Sequence, residues 1–282
     1  MKSIDGKRVV ITGAASGLGR ELALAFASHG CRIGVADIEM DGAARTLEMV
    51  RERGGSGELF DLDVSDPEQV EAMVEHFFTS FGGVDIAINN AGVVVAGYVG
   101  EIPLADWDWL MGVNMRGVLH GCHYFIPRMK AQGHGHIVNV ASAMGLLSFP
   151  EMAPYSVAKA AVVSLSEILR VELAPHKIDV SVVCPMFFKT NLLDSLRYQD
   201  DFQAEAAHLA FDHSRVSAAK VAERVVRGVS SRKFYIIPML SGKLHWAEKR
   251  LSPSLYYWQF ATLHRLKLFR PAFKLMARLG LV

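Results

Sequence analysis

The chain has 282 residues, 51% hydrophobic and 21% charged, a balance that supplies a substantial core and excludes an intrinsically disordered polypeptide. A formal net charge of +1 gives no overall electrostatic drive toward nucleic acid, so no nucleic-acid partner is expected. Three cysteines, Cys31, Cys122 and Cys184, stand far apart with no CxxC pair, which argues against a disulfide framework and fits a reducing cytoplasmic compartment. The opening MKSIDGKRVVITG is not expected to be a signal peptide, and no stretch offers the ~18 uninterrupted apolar residues of a membrane span.

Apolar runs bounded by turn residues then alternate with segments of helical period. RVVIT, residues 8–12, reads as a buried strand and 19–30 as a helix closed by glycine. RIGVAD is the next strand, with a helix near 41–53. GELFDLDV and PEQVEAMVEHFFTSFG repeat the unit, Pro67 suiting a first helical turn. VDIAINNAG is a fourth strand, a long helical region covers roughly 104–131, and HIVNVAS is a fifth strand before the helix of 153–174. DVSVVCP, the helix AAKVAERVVRGV and KFYIIP complete the order. Such alternation, with near-continuous apolar strands, predicts an α/β fold: a doubly wound, Rossmann-type parallel sheet of about seven strands with helices on both faces and its ligand beyond the carboxyl ends. Residues 1–240 are expected to form the catalytic domain, with a substrate-covering loop over 187–216. A compositional break near Pro238 to Gly242 opens a basic, aromatic and helical tail over 241–282.

After the first strand, TGAASGLG sets Gly13, Ser16, Gly17, Leu18 and Gly19 between strand and helix. Glycines there permit a tight turn and the close approach of a pyrophosphate to free helix-start amides, although the loop alone also fits an ordinary strand-to-helix turn. Asp37, about 20 residues on at the end of the second strand, adds a carboxylate able to accept from an adenosine ribose. It would repel a 2′-phosphate, no arginine follows it directly, and Ser16 rather than a basic residue precedes Gly17, so NAD is favoured over NADP.

Tyr155 and Lys159 are four residues apart and share a helix face, where an ammonium favours the phenolate and lowers the phenol toward working pH. The pair alone carries little information. Ser142, however, ends the fifth strand 13 residues earlier, at the sheet edge where a cofactor would bind. TGAASGLG, NNAG at 89–92, Asn114 in NMRG, Ser142 and YSVAK occur in the order of the short-chain dehydrogenase/reductase family, whose ordinary, non-extended branch the chain resembles over about 5–240.

That resemblance implies hydride transfer between C4 of nicotinamide and a carbinol or carbonyl carbon. By it Tyr155 is the general acid/base, Ser142 orients the substrate oxygen, Lys159 lowers the phenol pKa and bonds the nicotinamide ribose, and Asn114 holds a water linking Lys159 to solvent. Asp63 and Val64 resemble the adenine-binding pair, Asn90 a contact to the adenosine side and brace for the sheet, and Thr190 the residue bonded to the carboxamide. Met186 departs from the pattern, because the family usually has glycine after the proline.

His120, His123, His134 and His136 lack a further ligand at signature spacing, so no metal is expected. Trp107 and Trp109 read as core or interface aromatics. Leu192, Leu193, Leu196, Phe202, Leu209 and Phe211, with Met144, Leu146, Leu147 and Phe149, point to an apolar substrate pocket and hence to a hydrophobic secondary alcohol or ketone, lipid-like in character. An NADPH-dependent reductase of 3-oxoacyl thioesters, and a weakly catalytic dinucleotide-binding membrane-associated scaffold, are the alternatives. The tail carries eight basic side chains against one acidic, +7, which from totals of 30 and 29 leaves 22 basic and 28 acidic, or −6, on the rest. Lys274 and Arg278 oppose a face of Phe273, Met276 and Ala277, a basic amphipathic helix suited either to docking on the body or a partner subunit or to peripheral contact with an anionic bilayer. A homo-oligomer, dimer or tetramer, is also expected.

Overall fold

The computed structural model describes residues 4–280; residues 1–3 and 281–282, the extreme ends of the expected domain and tail, lie outside the described residues. Its strands are β1 (Arg8–Thr12), β2 (Arg32–Asp37), β3 (Ser56–Asp61), β4 (Ile86–Asn89), β5 (Gly135–Val140), β6 (Ile178–Val183) and β7 (Tyr235–Ile236). They form one sheet in the order β3-β2-β1-β4-β5-β6-β7, and every pairing is parallel. Val9, Val10, Ile11, Ile33, Val35, Ile86, Ile88, Ile137 and Val138 are buried, as strands covered on both faces require. The order reverses between β1 and β4, so a cleft opens beyond their carboxyl ends.

The helices are α1 (Gly17–Ala27), α2 (Met40–Glu52), α3 (Pro67–Phe81), α4 (Leu104–Met111), α5 (Gly117–Gln132), α6 (Ala143–Leu147), α7 (Ala153–Glu172), α8 (Asp201–Asp212), α9 (Ala218–Ser230), α10 (Leu240–Leu251), α11 (Pro253–Arg265) and α12 (Phe269–Arg278). Pro67 does open α3, whose cap is the Asp66 carboxylate accepting from the Glu68 and Gln69 amides at 2.9 and 3.3 Å. The helix expected over 104–131 is broken by a π-helical turn, Gly112–Arg116, which contains Asn114. Within the expected substrate cover, 187–216, α8 is a full helix started by a reciprocal capping box between Asp200 and Gln203.

A ladder of buried amides fixes α7 against the sheet. Asn89 Nδ2 donates to Asn139 Oδ1 at 2.8 Å, and Asn139 Nδ2 donates to Ser166 Oγ at 3.0 Å, joining β4, β5 and α7. Helix α5 comes close enough to leave no room for a side chain at Gly121, whose Cβ would strike Asn89.

The tail folds onto the body. Tyr256 of α11 is almost wholly buried, with Phe260 packed edge-on against Phe149 at 5.2 Å between ring centres. Lys249 of α10 donates to the Leu146 carbonyl at 2.7 Å. Helix α12 packs on α8: Ala277 is buried with Ala210 and Phe211, and Lys274 pairs with Glu205 at 2.5 Å. The last helix is docked on the body, with an apolar face and a body acid against it. Among the described residues no helix is long and apolar enough to cross a membrane.

One of the histidines is built into the sheet. His136 is buried in β5 with Nε2 2.8 Å from Ser181 Oγ, and that hydroxyl already donates to Lys233 O at 2.6 Å, so the imidazole must be the donor. Burial lowers its pKa from 6.5 to about 4. The unfolded chain thus takes this proton first as pH falls. Stability from the neutral imidazole is fully present above pH 6.5 and is lost as pH falls from 6.5 toward about 4, by up to ~3 kcal/mol. Urea denaturation across that window should show a shallower loss for His136→Gln than for the parent; identical slopes would exclude His136 as the acid-sensitive group.

Candidate active site

The glycine loop is shaped by close approach. Gly13 has φ +65°, and a Cβ there would lie 2.7 Å from Ala91 Cα; Gly17, at φ +52°, sits beneath the Thr190 hydroxyl; Gly19 packs on the Gly13 carbonyl. Side chains at these points would fill the cleft or displace β4, so the backbone is left bare for a ligand. Ser16 caps α1 with extended backbone and no side-chain hydrogen bond, leaving the first-turn amides free of a protein side-chain acceptor. Asn90 braces the loop: its Nδ2 donates to Thr12 O and Gly13 O at 2.9 and 3.0 Å, while Thr12 Oγ1 accepts from the Asn90 and Ala91 amides.

Asp37 accepts from the Ala15 amide at 2.7 Å and the Glu39 amide at 3.0 Å, which ties the end of β2 to the glycine loop. Asp63 accepts from the Ser65 amide and hydroxyl at 2.8 and 2.7 Å. Every residue read from the sequence as cofactor-binding, from Gly13, Ser16, Gly17, Leu18 and Gly19 through Asp37, Asp63, Val64 and Asn90 to Tyr155, Lys159 and Thr190, borders one continuous cleft. Sequence reasoning missed Arg45, which lies eight residues past Asp37 on α2. Its side chain is 65% exposed, borders the same end of the cleft and stands 3.8 Å from Glu39. The signal was helical geometry, since α2 folds back from the end of β2.

At the other end, Ser142 caps α6, its Oγ accepting from the Met144 amide at 3.1 Å. Tyr155 stands in the first turn of α7 and Lys159 one turn further. Both are buried. Lys159 Nζ donates to the Val140 carbonyl at 3.0 Å and lies 5.8 Å from the centre of the Tyr155 ring. Asn114 binds Val93 with both ends of its amide, accepting from Val93 N and donating to Val93 O at 2.8 Å each. Its side chain is thus spent on the strand-end backbone, although a Cβ on Gly92 would lie 3.3 Å from Asn114 Oδ1 and 3.4 Å from Lys159 Nζ, so the two remain near neighbours.

Burial governs the electrostatics. It pushes the Tyr155 phenol up to about 12, against a hydrogen bond with Ser142 that works downward. It brings the Lys159 ammonium down to about 8. Desolvation is the largest influence on the phenol here, and the lowering that the four-residue spacing leads one to expect from Lys159 is not among its causes.

Tyr155 also borders a second, apolar cavity with Ser142. Met144, Phe149, Leu192, Leu193, Leu196, Phe202 and Phe211 line it as expected, and Met152 and Met186 join them. Leu146, Leu147 and Leu209 do not, because Leu146 and Leu147 are packed into the core and Leu209 only edges the small cluster of α8 with α12. In their place Phe269 and Phe273 of α12 complete the wall. The four-residue spacing of those phenylalanines and Ala277 marks an apolar stripe, but not its destination.

The sequence profile of the short chain dehydrogenase family matches residues 7–201. The chain belongs to the short-chain dehydrogenase/reductase family, and it is an oxidoreductase. A putative oxidoreductase SadH of Mycobacterium tuberculosis is 33% identical over 263 residues, spanning 91% of this chain and 94% of that protein. A CLA biosynthesis dehydrogenase/reductase of Lactiplantibacillus plantarum is 30% identical, over 84% of this chain and 89% of that one. Among solved structures, a short-chain dehydrogenase/reductase from Burkholderia phymatum in complex with NAD superposes with a TM-score of 0.85 at 34% identity, covering 90% of this chain and 96% of that chain. The SadH and Burkholderia phymatum alignments cover more than 240 residues of this chain, so those two likenesses extend into its tail.

Asn114→Ala should leave the part-buried amide and carbonyl of Val93 without their partners, a loss of about 1 kcal/mol for each, the low end of the range for an unsatisfied group. Urea unfolding measures the loss, and a variant as stable as the parent would show that the π turn does not depend on this side chain.

Proposed function

We propose that the protein transfers hydride between NAD(H) and an uncharged, hydrophobic secondary alcohol or ketone, with Tyr155 as general acid/base. The observation that carries this reading is the position of Tyr155 on the wall between the glycine-loop cleft and the apolar cavity, with Ser142 at its hydroxyl. The bare glycine loop, the uncapped start of α1 and the carboxylate of Asp37 fit a dinucleotide, as does the NAD named with the Burkholderia phymatum relative. Bound there, the nicotinamide would supply the hydride acceptor or donor. Thr190, beside Gly17, would hold the carboxamide, Lys159 the ribose, and Asp63 with Val64 the adenine.

The chain's own groups move the proton. A phenol held near 12 is protonated at neutral pH and suited to donate to a carbonyl oxygen that Ser142 also holds. In the opposite direction Tyr155 must give up its own proton to take that of the hydroxyl, and its raised pKa makes the phenolate scarce at neutral pH; the neutral Lys159 amine, formed above about 8, is the adjacent buried base that receives the phenol proton. Reduction at neutral pH and oxidation at alkaline pH follow. Arg45, exposed at the Asp37 end, is the observation that favours the NADPH-dependent alternative, against the like charge of Asp37 itself.

Nicotinamide absorbance with a ketone and alcohol panel, using both cofactors, tests the reading. NAD(H) should give the higher kcat/KM, Tyr155→Phe should lower kcat by ~10²–10⁴-fold, and alcohol oxidation should climb with pH through the Lys159 value of about 8 while ketone reduction does not. Equal or better turnover with NADP(H) would overturn the role given to Asp37, and unchanged chemistry in Tyr155→Phe would overturn the proton transfer.

The tail's surface for contact with an anionic lipid bilayer lies on α10 and α11. Leu240, Leu244 and Leu251 recur on one side of α10, and Leu255 and Trp258 on α11, all exposed and flanked by Lys243 and Arg250. Vesicles containing phosphatidylserine should co-float the parent, and Leu244→Glu with Leu255→Glu should abolish this while sparing turnover of a water-soluble ketone. Parent that stays unbound would remove the membrane contact and leave these side chains, with exposed Val157, Ile168 and Val171 of α7, to a homo-oligomer.

A further inference from the structure

The loop between Ser142 and Tyr155 carries an unusual residue. Glu151 is 7% exposed, adopts φ +60° although it is not glycine, and borders the apolar cavity four residues before Tyr155. A buried carboxylate costs stability unless its oxygens are satisfied. Here four donors do so: Tyr98 Oη at 3.0 Å and Arg270 Nε at 3.1 Å on one oxygen, Arg270 Nη2 at 2.8 Å and Gln203 Nε2 at 3.2 Å on the other.

Arg270 belongs to α12, Gln203 to α8 and Tyr98 to the loop after β4. The same Nη2 reaches Asp200 Oδ2 at 2.6 Å, the residue that caps α8, and the guanidinium lies 4.5 Å over the Phe202 ring. One turn further along α12, Lys274 bonds Glu205 at 2.5 Å, and past its end the Leu279 carbonyl accepts from Arg215 at 2.8 Å. Helices α8 and α12 thus form a two-helix lid, supplying Phe202, Ala206, Phe211, Phe269 and Phe273 to the cavity wall. Among the described residues the Arg270 guanidinium is the one side chain bonded both to the Glu151 loop and to the other lid helix's cap.

We propose that Arg270 is a specificity-determining positioning residue: by fastening the α8 and α12 lid to Glu151 it encloses an apolar chamber beside Tyr155 whose charges are already neutralised, and so restricts the enzyme to uncharged substrates small enough to be enclosed. The bidentate fork matters, because an ammonium makes point contacts and cannot bridge both Glu151 oxygens and Asp200 in one plane. The dinucleotide cleft shares the Tyr155 wall but none of the latch residues, so cofactor binding is independent of it. Substrate enters when the lid arm at Asp200 parts, and that arm is the solvent-facing one, the Asp200 side chain being 40% exposed against 5% for the Glu151 side chain.

This inference rests on the oxidoreductase reading only for its kinetic arm. In Arg270→Met, hydrogen–deuterium exchange over residues 201–212 and 269–278 should accelerate while that of β1 and β5 stays as in the parent. KM for a neutral aliphatic ketone should rise about tenfold or more with kcat within a few-fold and the dinucleotide Kd unchanged, and Arg270→Lys should recover only part of it. The parent should discriminate against the ω-carboxylate of the same ketone by ~100-fold or more. Should Arg270→Met fail to fold, Asp200→Asn, which keeps an α8 cap and weakens only the outer arm, should raise the exchange of α8 alone. Unaltered exchange in a folded Arg270→Met, or a loss shared equally by KM, kcat and dinucleotide affinity, would overturn the latch. Faster lid exchange in a protein that reduces no ketone would leave the latch standing and overturn the activity instead.

Discussion

The hydrogen bond from the Lys159 ammonium to the Val140 carbonyl is the constraint on which the site depends. A cation this deeply buried would be costly without an acceptor, and the end of β5 provides one where the strand leaves the sheet. To reach it, α7 must lie tight against β5 and α6. The Asn139 to Ser166 hydrogen bond holds the first contact, and Gly145, whose Cβ would come within 2.6 Å of the Lys159 backbone, allows the second. Once α7 is so placed, Tyr155 one turn earlier has no choice but to stand beside Ser142, at the end of the same strand.

The two sides of that tyrosine are built on different physical terms. On the cleft side the backbone does most of the work, through positive-φ glycines, a helix start and an asparagine clamped to strand-end carbonyls. On the cavity side the walls are apolar side chains from loops and lid helices, and polar groups are there only in compensated form. Cys184 fits this division: burial raises its thiol to about 12, so it remains an inert neutral neighbour of Lys159 rather than a competing anion.

How much of this the sequence reveals depends on whether the signal is local. The sheet is legible because parallel strands are apolar on both faces and each is followed by a helix with its own stop signals. The lining of the glycine-loop cleft is legible because glycines, Asp37 and the YSVAK helix fall at fixed places on that frame. The π turn at Gly112–Arg116 is not, since the partner of its Asn114 is Val93, 21 residues away, which no local spacing reports. Helix α8 is hidden by its mixture of acids and apolar residues, which becomes interpretable only when Arg270, Lys274 and the phenylalanines of α12 arrive from about 70 residues away. The phenol pKa is hidden for the same reason, because spacing reports the nearby lysine but not the loss of solvent.

Met186 shows how a departure from a family's pattern can be absorbed by distant structure. Glycine usually follows this proline in the family, giving room beside the cofactor and freedom of φ. Here the backbone at Met186 does not take a positive φ, and the side chain is buried against α10, where a Cβ on Gly242 would lie only 3.0 Å from Met186 Cγ. The space surrendered at the strand end is regained by a glycine on the facing helix. Met186 consequently fills the join between β6 and the tail and presents its flank to the apolar cavity, so the tail is part of the wall around Tyr155 and not an appendage to it. A chamber closed in this way, by a methionine following β6 and by helices α8 and α12, owes its shape to residues distant in sequence from Tyr155, so what it encloses can change while the placement of Ser142, Tyr155 and Lys159 stays.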